Sequence, residues 1–202
     1  MADRIILGID PGTNIMGFGL ILCKGNSIEL IKMDIIKLSK INNQPLKLKK
    51  IFETTLEIIN QYHPDELSIE AQFYGKNIQS MLKLGRAQGV AIAAALYRSI
   101  PVFEYSPRKI KQSITGNGSS SKEQVSAMLL NLLKIKEVPE SLDATDGLAV
   151  AVCHFFQKNK TEKGKSYSGW KSFLSENPGR VVKNKILQGK QDTVLSWVKE
   201  EH

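Results

Sequence analysis

Two cysteines in 202 residues, Cys23 and Cys153, are too few for a disulfide framework, and with only three histidines they leave no ligand cluster for zinc. Each cysteine sits inside an apolar stretch, the setting of a buried thiol. His63 stands beside Pro64 at a loop, His154 falls in the last core helix pattern and His202 is terminal, so structural roles are expected for them. Apolar runs are too short or too interrupted by charge to span a bilayer, and the first residues lack the basic-then-apolar order of a secretion signal. The expectation is a cytoplasmic protein with no membrane partner. Acidic residues are also in deficit: 20 Asp and Glu stand against 28 Lys and Arg, a formal net charge of +8. Such an excess points to a polyanionic partner. What the chain has in plenty is core material, with 42% hydrophobic residues.

That apolar material is patterned. Strands are expected at about 4–10, 15–24 and 27–37, joined by a Pro-Gly turn and by Lys24-Gly25-Asn26 into a meander. A helix follows at about 44–62 with Leu46, Leu48, Ile51, Phe52, Leu56 and Ile59 on one face, stopped by Pro64 before a short strand ending at Glu70. The next helix, 77–98, is rich in small residues, Gly85, Ala87, Gly89, Ala91 and Ala93 to Ala95, which permit close approach of its own sheet or of a second copy. A strand at 101–105 leads to the basic helix 107–114 and the polar loop Gly116 to Lys122. That loop fails the Walker A template, because Ser121 precedes Lys122 and Glu123 follows it. It carries instead a capping-box pattern, Ser120 with Glu123 or Ser121 with Gln124, opening a helix through Leu133. Its N-terminus and lysine would attract phosphate. The last core helix runs from Ala144 to Phe156. From 158 to 202 the character changes, with 10 Lys and Arg against 5 Asp and Glu and both tryptophans, Trp170 and Trp197, in separated amphipathic patches. A folded domain over 1–157 and a basic, partly helical or flexible extension over 158–202 are expected.

Four carboxylates carry the chemistry in this pattern. Asp10 ends the apolar run Ile5 to Ile9 and Glu70 ends Leu67-Ser68-Ile69, so both occupy the carboxyl ends of buried strands, where open α/β sheets collect ligands. Asp143 and Asp146, spaced i, i+3, share one face of a helix's first turn. Taken singly each is as well explained by a turn, a solvated strand end or a helix cap. Gathered, they would repel one another unless a cation neutralised them, and oxygen-only donors suit Mg²⁺ or Mn²⁺. A pair of such ions would activate a water and stabilise the leaving oxygen of a phosphodiester.

The stretches Leu7-Gly8-Ile9-Asp10-Pro11-Gly12-Thr13, Ile69-Glu70 with Phe73 and Lys76-Asn77, Leu82 to Gly85 with Arg86 to Ala91, Pro101 to Tyr105, Lys111-Gln112, Gly116 through Lys122, and Asp143 to Ala149 occur in family order. As a set they resemble the RuvC Holliday-junction resolvases of the RNase H-like superfamily, over roughly residues 4–157. The resemblance implies a mixed five-stranded sheet flanked by helices, with the basic extension beyond it. It implies catalysis and metal binding by Asp10, Glu70, Asp143 and Asp146, assistance from Lys122, and Phe73 against DNA at the branch. Mg²⁺ or Mn²⁺, two ions per site, a homodimer, a four-way DNA junction as substrate and the RuvA–RuvB branch-migration complex as partner follow from the same resemblance. Two positions depart from the pattern: Ala71 where a Gln often follows the glutamate, and Gly147 for the Ala of the usual Asp-Ala-Leu-Ala.

Phosphate contacts are expected from Lys76, Arg108, Lys109, Lys111 and Lys122, and base stacking from Phe73 and Tyr74. Other classes share parts of the pattern. An Asp-x-Gly-Thr loop also belongs to ATPases of the actin and Hsp70 type, which need two related domains where this chain has room for one, and a DNA-binding scaffold could use the acids as caps alone.

Overall fold

The computed structural model describes residues 3–72, 77–135, 139 and 141–163. Phe73, Tyr74 and Lys76, expected to contact DNA, and the extension from residue 164 onward lie outside the described residues. In chain order the elements are β1 (Arg4–Asp10), β2 (Ile15–Lys24), β3 (Ser27–Lys37), α1 (Gln44–Tyr62), β4 (Glu66–Glu70), α2 (Ile78–Tyr97), β5 (Val102–Tyr105), α3 (Pro107–Thr115), α4 (Lys122–Leu132) and α5 (Asp143–Lys163).

The first three strands form the antiparallel meander, and β4 then pairs parallel to β1 and β5 parallel to β4, giving the order β3-β2-β1-β4-β5. Parallel neighbours need a crossover, and α1 and α2 supply the two. Both helices cover the same face, where Leu7, Ile9, Leu67 and Ile69 meet Ile51, Ile58, Ile59, Ala87 and Ala91. The alternate residue Ile6 points the other way, into a second core built from α3, α4 and α5 through Ile110, Val125, Leu129, Leu148 and Val152. This division puts Gly8 and Asp10 on the α5 side.

Local chemistry sets the helix ends. Asn43 caps α1 and accepts from the Leu46 amide, and His63 closes it in the left-handed region at φ 47°. Of the two capping boxes open to the sequence, the structure forms Ser121 with Gln124: the serine accepts from the Gln124 amide and the Gln124 side chain accepts from the Ser121 amide. Ser120 turns inward to the Thr115 hydroxyl at 2.8 Å. Lys122 is thereby fixed as the first residue of α4.

Two glycines explain how close α5 lies to the sheet. A Cβ on Gly17 would stand 2.0 Å from the carbonyl oxygen of Asp143, and one on Gly147 would stand 2.4 Å from the Phe18 Cα. Neither position has space for any side chain.

A buried polar chain stitches the far end of α5 to the sheet. His154, 2% exposed, meets Glu66 through Nε2 at 2.9 Å and the Tyr105 hydroxyl through Nδ1 at 2.7 Å, while Phe103 stacks on its ring at 4.3 Å. Lys158 also pairs with Glu66. Burial pushes the Glu66 carboxyl up, but the hydrogen bonds from Lys158 and His154 outweigh it and hold the group below its ordinary value. Burial also depresses His154, against the pull of Glu66, so the neutral ring is favoured. A neutral ring donates from Nε2 to the carboxylate and accepts from the tyrosine, whose own pKa burial pushes up to about 12.

Both folded values are depressed, so this stabilisation is complete above the unfolded values of 6.5 and 4.5 and is lost as pH falls through the folded ones. Asp10 and Glu70, whose folded values are raised, act in the opposite sense and stabilise the metal-free fold as pH falls. The His154–Glu66 contribution is therefore read by difference: the melting temperature that Glu66→Gln loses relative to the unaltered chain should be largest near pH 7 and shrink toward pH 4. A pH series of thermal melts on both proteins reads this; a difference that does not change with pH removes Glu66 from the account.

Candidate functional site

Adjacency of β1 and β4 brings Asp10 beside Glu70. Their register runs Ile6 with Glu66 to Ile9 with Ile69, so the next residue of each strand falls at the same end of the sheet and on the same face. The start of α5 lies over that end, because Gly17 and Gly147 admit it, and presents Asp146 and Asp143. Lys122 arrives from the first turn of α4. Asp10, Glu70, Asp146, Lys122 and Lys111 line one cavity of about 280 Å³, walled by Pro107, Ile110, Val125 and Ala149.

Lys122 occupies the middle of the acids. Its Nζ donates to Asp143 Oδ1 at 2.7 Å and also pairs with Asp146. Burial pulls the ammonium's pKa down, but the bonds to Asp143 and Asp146 outweigh it and leave it above its ordinary value. Asp143 is correspondingly lowered, first by Lys122 and then by a hydrogen bond from Ser141. In the other acids burial outweighs the help that the lysines give. Burial, then repulsion from Glu70 and Asp146, lifts Asp10 to about 8, and burial with repulsion from Asp146 lifts Glu70 to about 7, although Lys111 and Lys122 oppose the rise. Asp146 is raised by burial in spite of Lys122.

Among the described residues, no three Asp, Glu, His or Cys side chains already converge as a metal cage. The lysine explains this, since its ammonium holds Asp143 and Asp146 to itself. The donor set nevertheless fits a hard divalent cation: every ligand atom is a carboxylate oxygen, and two of the four carboxyls, Asp10 and Glu70, are half-buried together with the nearby lysines too weak to offset burial and repulsion.

The expected phosphate contacts divide around α3. Lys111 faces the acid cavity, whereas Lys109 lines a second cavity of about 400 Å³ with Phe103, Tyr105, His154, Gln157 and Lys158. Arg108 lies over Gly118, where a Cβ would stand 2.5 Å from its Cγ. Ser141 was not picked out by the sequence reading, yet its hydroxyl donates to Asp143 Oδ2 at 2.9 Å and accepts from the Asp143 amide at 3.3 Å. Its only sequence signal was a serine two residues before the acid that opens a helix.

A five-stranded mixed sheet with acids at the ends of two adjacent parallel strands, and at the start of a helix laid across them, defines an RNase H-like α/β protein. The family model of crossover junction endodeoxyribonuclease RuvC matches residues 6–154. The chain belongs to that family. It is 59% identical over 180 residues to the RuvC of Christiangramia forsetii, covering 89% of this chain and 94% of the relative, and 58% identical over 192 residues to that of Cytophaga hutchinsonii, covering 94% and 95%. Among solved structures it is similar to Thermus thermophilus RuvC in complex with a Holliday junction substrate, with TM-score 0.73 and 30% identity over 78% of this chain and 96% of that one. No helix among the described residues is long and apolar enough to cross a membrane.

Proposed function

We propose that the chain is a structure-selective endonuclease that resolves four-way DNA junctions by metal-dependent phosphodiester hydrolysis, acting as a homodimer in the cytoplasm. One observation carries the reading: Asp10 and Glu70 lie at neighbouring strand ends, half-buried and repelling one another, in a cavity that also presents Lys111 and Lys122. A structural role would have favoured neutral residues there. Binding of a junction by the Thermus thermophilus relative supports the choice of substrate.

Asp10, Glu70, Asp143 and Asp146 are the residues that would hold Mg²⁺ or Mn²⁺, two ions per site. Such ions supply Lewis acidity, lowering the pKa of a bound water and stabilising charge at phosphorus. The chain's own cations do the rest. Lys111 and Arg108 on α3 draw the phosphodiester toward the cavity, and Lys122 donates to the phosphate oxygen on which charge develops. Since Lys122 is bound to two carboxylates, it reaches phosphate only by giving up part of that contact.

The homodimer reading rests on α2. Ile78, Leu82, Leu96 and Tyr97 are exposed, and a Cβ on Gly85 or Gly89 would meet nothing within 4 Å. An apolar helix face with room at its glycines accepts another helix closely. Two sites related by a two-fold axis match the symmetry of a four-way junction. The RuvA–RuvB branch-migration complex is proposed as partner on resemblance alone.

The test is incubation of the full chain with a synthetic four-way junction and a matched linear duplex, each with Mg²⁺ or EDTA. Symmetric cuts in the junction only, abolished by EDTA, are expected from a protein sedimenting at twice 22.5 kDa. Equal cutting of the duplex removes the structure selectivity, and cutting in EDTA removes the metal.

A further inference from the structure

Asp143 is the most exposed of the acids that touch Lys122, with 37% of its side chain accessible against 23% for Asp146. A short carboxylate so placed swings freely unless something other than the cation holds it. Ser141 does so. Its single hydroxyl proton goes to Asp143 Oδ2 at 2.9 Å, and its oxygen accepts from the Asp143 amide at 3.3 Å. The Ala144 amide in turn donates to the Ser141 carbonyl at 3.2 Å, and the Thr145 hydroxyl caps Leu142 at 2.7 Å, so the segment from 141 to 145 is a closed turn with little freedom.

The two carboxylate oxygens therefore have different work. Oδ2 is committed to Ser141, while Oδ1 faces Lys122 at 2.7 Å, and Lys122 in turn lines the cavity with Asp10, Glu70 and Asp146. The Ser141 bond survives any exchange at Oδ1, because it uses neither that oxygen nor the ammonium.

We propose that Ser141 is a positioning residue for Asp143, fixing Oδ2 so that Oδ1 is the oxygen offered to a cation. This rests on the reading of Asp143 as a metal ligand. Hydrogen-bond partners behind a ligating carboxylate commonly govern affinity for the ion by about 10- to 100-fold, and among the described residues Ser141 stands in that relation to Asp143.

The experiment uses the full chain without DNA, titrated with Mn²⁺ by calorimetry, beside kcat and KM for a four-way junction over a Mn²⁺ series. Ser141→Ala should weaken Mn²⁺ binding by about 10-fold or more. It should lower kcat at limiting Mn²⁺ but not at saturating Mn²⁺, and leave KM for the junction and the melting temperature unchanged. Ser141→Thr, which keeps the hydroxyl, should restore the wild-type affinity. Wild-type Mn²⁺ affinity in the alanine variant overturns the proposal. So does a loss that saturating Mn²⁺ does not recover, or one that accompanies a lowered melting temperature. If the unaltered chain itself takes up no Mn²⁺, the metal reading falls and takes this inference with it, an outcome distinct from equal binding by both proteins.

Discussion

An Asp10→Asn protein should bind a four-way junction with wild-type affinity and cut it slower by several orders of magnitude. The amide keeps the shape of the carboxylate but withdraws the charge that a divalent ion would need. The phosphate contacts proposed for α3 and Lys122 would be untouched, so binding should persist. The same substitution has an opposite effect on the fold. Burial and the neighbouring Glu70 and Asp146 raise the Asp10 pKa to about 8, which means that the folded chain resists the ionised form. Asn relieves that strain, and in EDTA the variant should melt no lower than the unaltered protein. Added Mg²⁺ should raise the melting temperature of the unaltered chain and leave that of the variant in place. Ordinary cleavage by the purified variant would sink the mechanism, and a collapsed melting temperature would make Asp10 a structural residue.

Replacing Gly147 by Val is expected to abolish cleavage by a different route, moving a helix without touching any carboxylate. A Cβ there would already stand 2.4 Å from the Phe18 Cα and 2.6 Å from the Gly17 carbonyl carbon, both rigid backbone in the centre of the sheet. Overpacking of that kind costs roughly 1–3 kcal/mol where a core can yield, and here the yielding part is α5. The helix start carries Asp143 and Asp146, so any outward shift takes them from Asp10 and Glu70. Gly147→Ala should lose activity in the same sense but less severely. Circular dichroism and melting report whether the domain survives; a folded Val variant with undiminished cleavage would show that helix-to-sheet spacing does not set the site.

Much of the acid pocket was legible because strand ends announce themselves. Asp10 and Glu70 each terminate a β-branched or leucine-rich run, and the i, i+3 spacing of Asp143 and Asp146 fixes their shared face once a helix is assumed. The meander and the presence of a capping box at the start of α4 were readable for the same reason: each depends on residues within a few positions of one another. What sequence alone did not disclose depends on partners far apart in the chain. Gly8, Gly17 and Gly19 look like interruptions of good strands until α5 is seen to need their missing side chains. Glu66 reads as an ordinary strand-opening glutamate, yet it is the acceptor for His154 and Lys158 from the far end of α5. That helix continues to Lys163, past the domain boundary placed at 157. Lys122 was expected to assist catalysis, but nothing local indicates that it bridges Asp143 and Asp146.

The four acids come from the first strand, the fourth strand and the last described helix, so the proposed site exists only where the whole sheet-and-helix unit is assembled. With the site so divided, a partly synthesised chain, or one in which α5 has peeled from the sheet, would be harmless to DNA. Nuclease action is thus an all-or-none property of the finished fold, and a chromosome is exposed to it only after the protein has passed its own assembly check.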